Sequence, residues 1–157
     1  MALPDIPRLY TALAEWLAVV LYAQSRPPRF ARKITLAASG LLAVMLGVFL
    51  EATGEVPIAW WVPCMGIAVG MQYLYLWLTR TISLLEAGYV CARAFVLAEL
   101  AASAEWQLHC FLWPQRSGAD GLSLALLAVV YSGVFGCIWL LEHKHASPKG
   151  RIVISGK

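Results

Sequence analysis

Leu84 to Trp113, LLEAGYVCARAFVLAELAASAEWQLHCFLW, is the stretch that decides how this chain is read. It joins an apolar run of membrane length to five ionisable groups: Glu86, Arg93, Glu99, Glu105 and His109. As a single helix rising ~1.5 Å per residue it covers roughly 45 Å, more than the ~30 Å hydrocarbon core of a bilayer. Glu86 at one end, and Glu105 with His109 at the other, can therefore reach the headgroup regions. Arg93 and Glu99 cannot. A charge at that depth costs at least ~2.5 kcal/mol on insertion scales, so each is expected to have a partner or a hydrated cavity supplied by other segments.

Composition agrees with a membrane setting. The 157 residues are 61% hydrophobic and 13% charged, which lies outside the soluble range and indicates an all-α integral membrane protein. No Lys/Arg-rich aromatic surface is present, so nucleic acid is excluded as a partner. Cys64, Cys91, Cys110 and Cys137 form no CxxC pair and no zinc-like spacing, and are read as buried small hydrophobes.

On the N-terminal side, Thr79–Ser83 is a link short enough to make an antiparallel hairpin with a helix near 59–79. That helix has Trp60, Trp61, Tyr73, Tyr75 and Trp77 towards its two ends, as interfacial anchors, and a Gly66–Gly70 GxxxG contact motif. EATGEVP, residues 51–57, is an acidic turn before it. A charge-free helix near 33–51 presents Ser39, Ala43 and Gly47 every four residues, a face for close helix packing. The first helix, near 8–24, carries Glu15 at its middle. It is read as retained, because Asp5 offsets Arg8 and no cleavage site follows. On the C-terminal side, PQRSGAD is a loop, and a fifth helix near 121–142 carries Ser132, Gly133 and Gly136 on a small face. Residues 143–157 form a basic tail.

The expected fold is thus a bundle of five transmembrane helices. Nine basic residues, Arg26, Arg29, Arg32, Lys33, Arg80, Lys144, Lys149, Arg151 and Lys157, fall on one side, against Arg8 and Arg116 on the other. The positive-inside rule then puts the N-terminus outside and the C-terminus in the cytoplasm of a multi-pass cell-membrane protein.

Within the bilayer, Arg93 and Glu99 point about 120° apart around their helix and are poor direct partners. By depth, Glu15 is the expected partner of Arg93. Such a pair either fixes the docking of the first and fourth helices or lines a ligand pocket or proton path. Glu99 with Trp106 and Trp113 lines an outward pocket, or is a protonated acid bonded to a neighbouring helix. His109 is expected to be a solvated residue at the interface. The histidines at 143 and 145 diverge on a helix, so no metal site is expected, and no cofactor. HExxH, GxSxG and P-loop motifs are absent, which argues against an enzyme within this segment.

The runs ARAFVLAELAASAEWQL (92–108), EWLAVVLY (15–22), VPIAWWVPCMGIAVGMQYLYLWL (56–78) and EAGYVCARAF (86–95) resemble the membrane-embedded N-terminal region of bacterial GHKL-type sensor histidine kinases, relatives of the accessory-gene-regulator-type peptide sensors. The resemblance implies a signal-receiving domain of a two-component system, followed by a dimerisation helix with a phosphorylatable histidine and an ATP-binding domain. The present residues contain neither an Asn-box nor a Gly-rich ATP lid, so they would stand for the sensor region alone. Its partners would be the lipid bilayer, an extracellular peptide or small molecule, and a second copy as a homodimer. The alternatives are a small transporter or proton-coupled carrier using Glu15, Arg93 and Glu99, or a structural membrane subunit. Five helices without an internal repeat fit a transporter poorly.

Overall fold

Five helices form where the apolar runs place them, each boundary within one turn of expectation: α1 Arg8–Gln24, α2 Arg32–Ala52, α3 Ile58–Thr79, α4 Leu84–Leu112 and α5 Gly121–His145. A computed structural model describes residues 7–113 and 121–145, without the side chains of Ile58, His143, Lys144 and His145. The loop around Arg116, the residues before Pro7 and the tail beyond His145 lie outside the described residues.

Local chemistry explains the helix ends. Pro7 and Pro57 precede the first turns of α1 and α3, where a missing N–H costs nothing. Ser83 caps α4 and accepts a 3.2 Å hydrogen bond from the backbone N–H of Glu86. Ser-Leu-Leu-Glu at 83–86 is thus a capping-box sequence, and it starts the longest helix. Thr53 closes α2 through a 2.8 Å bond from its hydroxyl to the Phe49 carbonyl.

The two links at one end of the bundle are stitched together. Arg29 N–H donates to Thr79 O at 2.9 Å, and Thr81 N–H donates to Pro27 O at 3.1 Å. Arg26 also bridges Glu86 at 2.5 Å, and Arg80 donates to the Arg26 carbonyl at 3.3 Å. This is the basic end. At the opposite end Gly54 lies against Arg8, close enough that a Cβ would meet its Cγ at 3.5 Å.

The helix at the centre is α1, which packs against all four others and most extensively against α4. Its Ala14, Ala18, Val19 and Ala23 are fully buried. On α4 the facing stripe is Ala87, Cys91, Ala94, Ala98, Ala101, Glu105 and His109, at spacings of three or four. Small side chains there bring the two backbones close, the way membrane helices associate without a hydrophobic driving force between them. Trp16 Nε1 fixes α1 to α2 with bonds of 2.9 and 3.0 Å to the carbonyl and hydroxyl of Ser39.

Three helical stretches are long and apolar enough to cross a membrane: Arg32–Ala52, Ala59–Thr79 and Gly121–Glu142. Their exposed faces carry Leu36, Val44 and Val48, then Trp60, Trp61 and Val62, then Leu124, Val129 and Trp139. The packing expectations hold in part. Ser39 is buried in the α1–α2 contact, Ala43 is half-buried and Gly47 faces Leu9. Gly66, Gly70, Ser132 and Gly133 instead lie on exposed faces, and a Cβ on Gly66, Gly70, Gly133 or Gly136 would meet nothing within 4 Å. The reason is that α1 fills the centre, so α3 and α5 turn these faces outward. Tyr75 is buried rather than interfacial, and of the cysteines only Cys91 is fully buried, while Cys137 is exposed.

The alanine seam predicts a steric asymmetry. Ala98→Leu should destabilise the bundle by about 1–3 kcal/mol through overpacking, whereas Val96→Leu on the exposed face of the same helix should change little. Thermal melting of the two variants in detergent measures the difference.

Candidate functional site

Antiparallel packing of α1 on α4 sets three polar levels. Tyr10 lies level with Glu105, Glu15 with Glu99, and Tyr22 with Arg93. Each level holds a different chemistry.

At the middle level Glu15 is fully enclosed and its Oε2 accepts a 2.8 Å hydrogen bond from Gln72 Nε2 of α3, also fully enclosed. Glu15 Oε1 and Gln72 Oε1 have no hydrogen-bond partner among the described residues. Glu99 lies within Coulombic reach of Glu15 but is only half-buried.

The expected Glu15–Arg93 pair does not form. Arg93 makes a short ion pair with Glu142 in the last turns of α5, and its guanidinium lies 4.6 Å from the Tyr22 ring centroid and 5.7 Å from that of Tyr89. The register explains this. Tyr22 is seven residues beyond Glu15, which puts Arg93 roughly 10 Å further along the bundle, at the basic end. Arg93 is 38% exposed there, with Glu142 at 32%. Glu86, two turns from Arg93 on the same helix, pairs with Arg26.

At the opposite end His109, expected to be a solvated residue, is 2% exposed; with Glu105, 0% exposed, it continues the alanine seam. Seven-residue spacing from Cys91 through Ala98 to Glu105 carries that signal, which counting charge depth overlooks. Trp106 stacks on His109 with ring planes 1° apart and centroids at 5.0 Å, and Trp113 tilts against the same ring at 5.8 Å. The two tryptophans therefore line the His109–Glu105 level rather than a pocket on Glu99. Across from them, the Tyr131 hydroxyl of α5 donates to the Tyr10 carbonyl at 2.8 Å. Tyr10 and Tyr131 are both within Coulombic reach of Glu105.

Fold and site together define an all-helical bundle with membrane-type helices around a buried polar seam. No protein-family model, no curated protein and no solved structure matches the chain.

Two double-variant cycles follow. Gln72→Leu should cost about 1–3 kcal/mol by leaving a buried carboxyl unpaired, and adding Glu15→Leu should recover much of it. Arg93→Leu and Glu15→Leu, two turns apart, should instead add within about 0.5 kcal/mol. Chemical denaturation in mixed micelles reads both.

Proposed function

We propose that this chain is the signal-receiving membrane domain of a two-component sensor histidine kinase, crossing the bilayer five times with its N-terminus outside. The observation carrying this reading is the way α5 is fastened. One polar tie, Tyr131 to Tyr10, lies beside the enclosed Glu105; the other, Glu142 to Arg93, lies at the basic end, where the chain leaves towards the tail. A stimulus that disturbs the first tie has a rigid helix through which to shift the second, the small displacement of packed elements on which switching relies. The resemblance of residues 15–108 to GHKL-type sensor regions supports the same assignment.

The crossings of α1 and α4 rest on enclosure. At 17 residues α1 covers ~26 Å, close to hydrocarbon thickness, and its one carboxylate is shielded by neighbouring helices. Orientation rests on Arg26, Arg29, Arg32, Lys33 and Arg80 gathered at the basic end, with Glu51 and Glu55 opposite. A homodimer through the outward small-residue faces belongs to the same proposal. The carrier reading is left with Glu15 and Glu99, because Arg93 is drawn away to Glu142.

In a cysteine-free background, Arg29→Cys should resist an impermeant maleimide in intact cells and react after permeabilisation, while Glu55→Cys should react from outside. Labelling of Arg29→Cys from outside overturns the orientation. For the function, an in-frame phospho-acceptor helix and ATP-binding domain are expected to follow Lys157 in the gene. A stop codon there overturns the kinase assignment in favour of a carrier or a structural membrane subunit.

A further inference from the structure

Among the buried polar groups of the described residues, Glu105 is the least satisfied. It is 0% exposed, and neither Oε1 nor Oε2 has a hydrogen-bond partner among the described residues. The Tyr10 hydroxyl beside it is likewise buried without a partner among them. A carboxylate enclosed in this way is costly unless a cation or donor reaches it. Among the described residues, no arginine or lysine is placed to do so. Arg93 is held by Glu142, Arg26 by Glu86, Arg80 is bonded at the basic end, and Arg8 lies against Gly54. His109 is within Coulombic reach, but neither oxygen of Glu105 accepts a hydrogen bond from it.

The surroundings match one ligand chemistry. Tyr10 of α1 and Tyr131 of α5 lie within Coulombic reach of Glu105, and on α4 Trp106 and Trp113 pack on the ring of the neighbouring His109. Aromatic faces around a carboxylate attract a positively charged nitrogen by cation–π and ion-pair terms together. A neutral donor would satisfy one oxygen without balancing the charge, and an anion would be repelled. The level is at the end opposite Arg26–Lys33, away from the basic loops that would repel a cation. It is also where Tyr131 ties α5 to α1, so an occupant would press on that tie.

We propose that Glu105, with the Tyr10 and Tyr131 rings, binds the ammonium group of a ligand entering from the end opposite the basic loops. This deepens the proposed sensing function by naming the ligand class, and rests on it for the role of the site. The nitrogen comes either from a small amine or from the free N-terminus of a peptide. No bond is made or broken; the step is an exchange of water around the ammonium for a carboxylate and aromatic faces.

The test uses the full chain in nanodiscs titrated with 2-phenylethylammonium chloride, read by calorimetry. A saturable heat is expected for the wild type. Glu105→Gln, nearly isosteric, should weaken binding at least about tenfold. Glu86→Gln at the basic end should bind as the wild type does. The neutral 2-phenylethanol should give no specific heat. Folded yield and melting temperature of Glu105→Gln are measured alongside, and a well-folded variant with unchanged affinity overturns the proposal. So does a wild type indifferent to the ammonium, as a protonated Glu105 would be, or one that binds the alcohol as well. If Glu105→Gln fails to fold, Glu105→Asp replaces it, with weakened but ammonium-selective binding expected and unchanged binding overturning the site. A short apolar peptide with a free N-terminus, compared with its N-acetylated form, separates the two sources. Tighter binding lost on acetylation assigns the site to a peptide, whereas no preference for the peptide assigns it to a small amine. Intact binding in a protein whose gene encodes no kinase would overturn the sensing role and leave the ammonium site standing.

Discussion

The structure depends on enclosing the Glu15 carboxyl. A helix with a carboxyl in its apolar middle is costly to bury unless its neighbours supply a donor. Here α1 takes the centre, and the four other helices surround it. Gln72 reaches across from α3 to give the carboxylate a donor, and the alanine face of α4 closes over the same helix. Because α1 is central, α2, α3 and α5 are left to present their apolar faces outward. Their hydropathy, high enough for membrane crossing in each case, follows from that position.

The polar groups of the bundle are separated by role as well as by depth. Arg93 and Glu142 are near the helix ends and partly exposed, where an ion pair is worth little in itself but joins α4 to α5. The Tyr22 face adds a cation–π contact to that joint. Arg26 and Glu86 do the same for the two links at the basic end. Glu105 differs from both, being 0% exposed with neither oxygen hydrogen-bonded among the described residues. Structural pairs and an unsatisfied acid thus coexist in one seam. That contrast distinguishes the end opposite the basic loops from the basic end.

Much of the fold was legible along the chain. Apolar runs, proline breaks and acidic or basic links mark all five helices, because prolines and polar links interrupt the apolar segments where helices end. Ser83-Leu84-Leu85-Glu86 also announces the start of α4. The site was only half legible. Glu15 and Glu105 can be picked out as ionisable groups in apolar runs, but their partners cannot, since register between antiparallel helices is set by packing over many small contacts. Gln72, a neutral residue in a hydrophobic run, gave no signal at all.

Sequence by itself determined the helices, their lengths and the distribution of charge between the two ends, since each follows from local propensity and hydropathy. Tertiary structure alone decided that α1 rather than α4 is the central helix. It also decided that Arg93 belongs to Glu142, and that Glu105 and His109 are enclosed while Arg93 is not. The physical reason is rotational. Moving one position along a helix turns a side chain by 100°, enough to exchange a lipid or interface setting for the interior, and only the docked neighbours say which direction is inward.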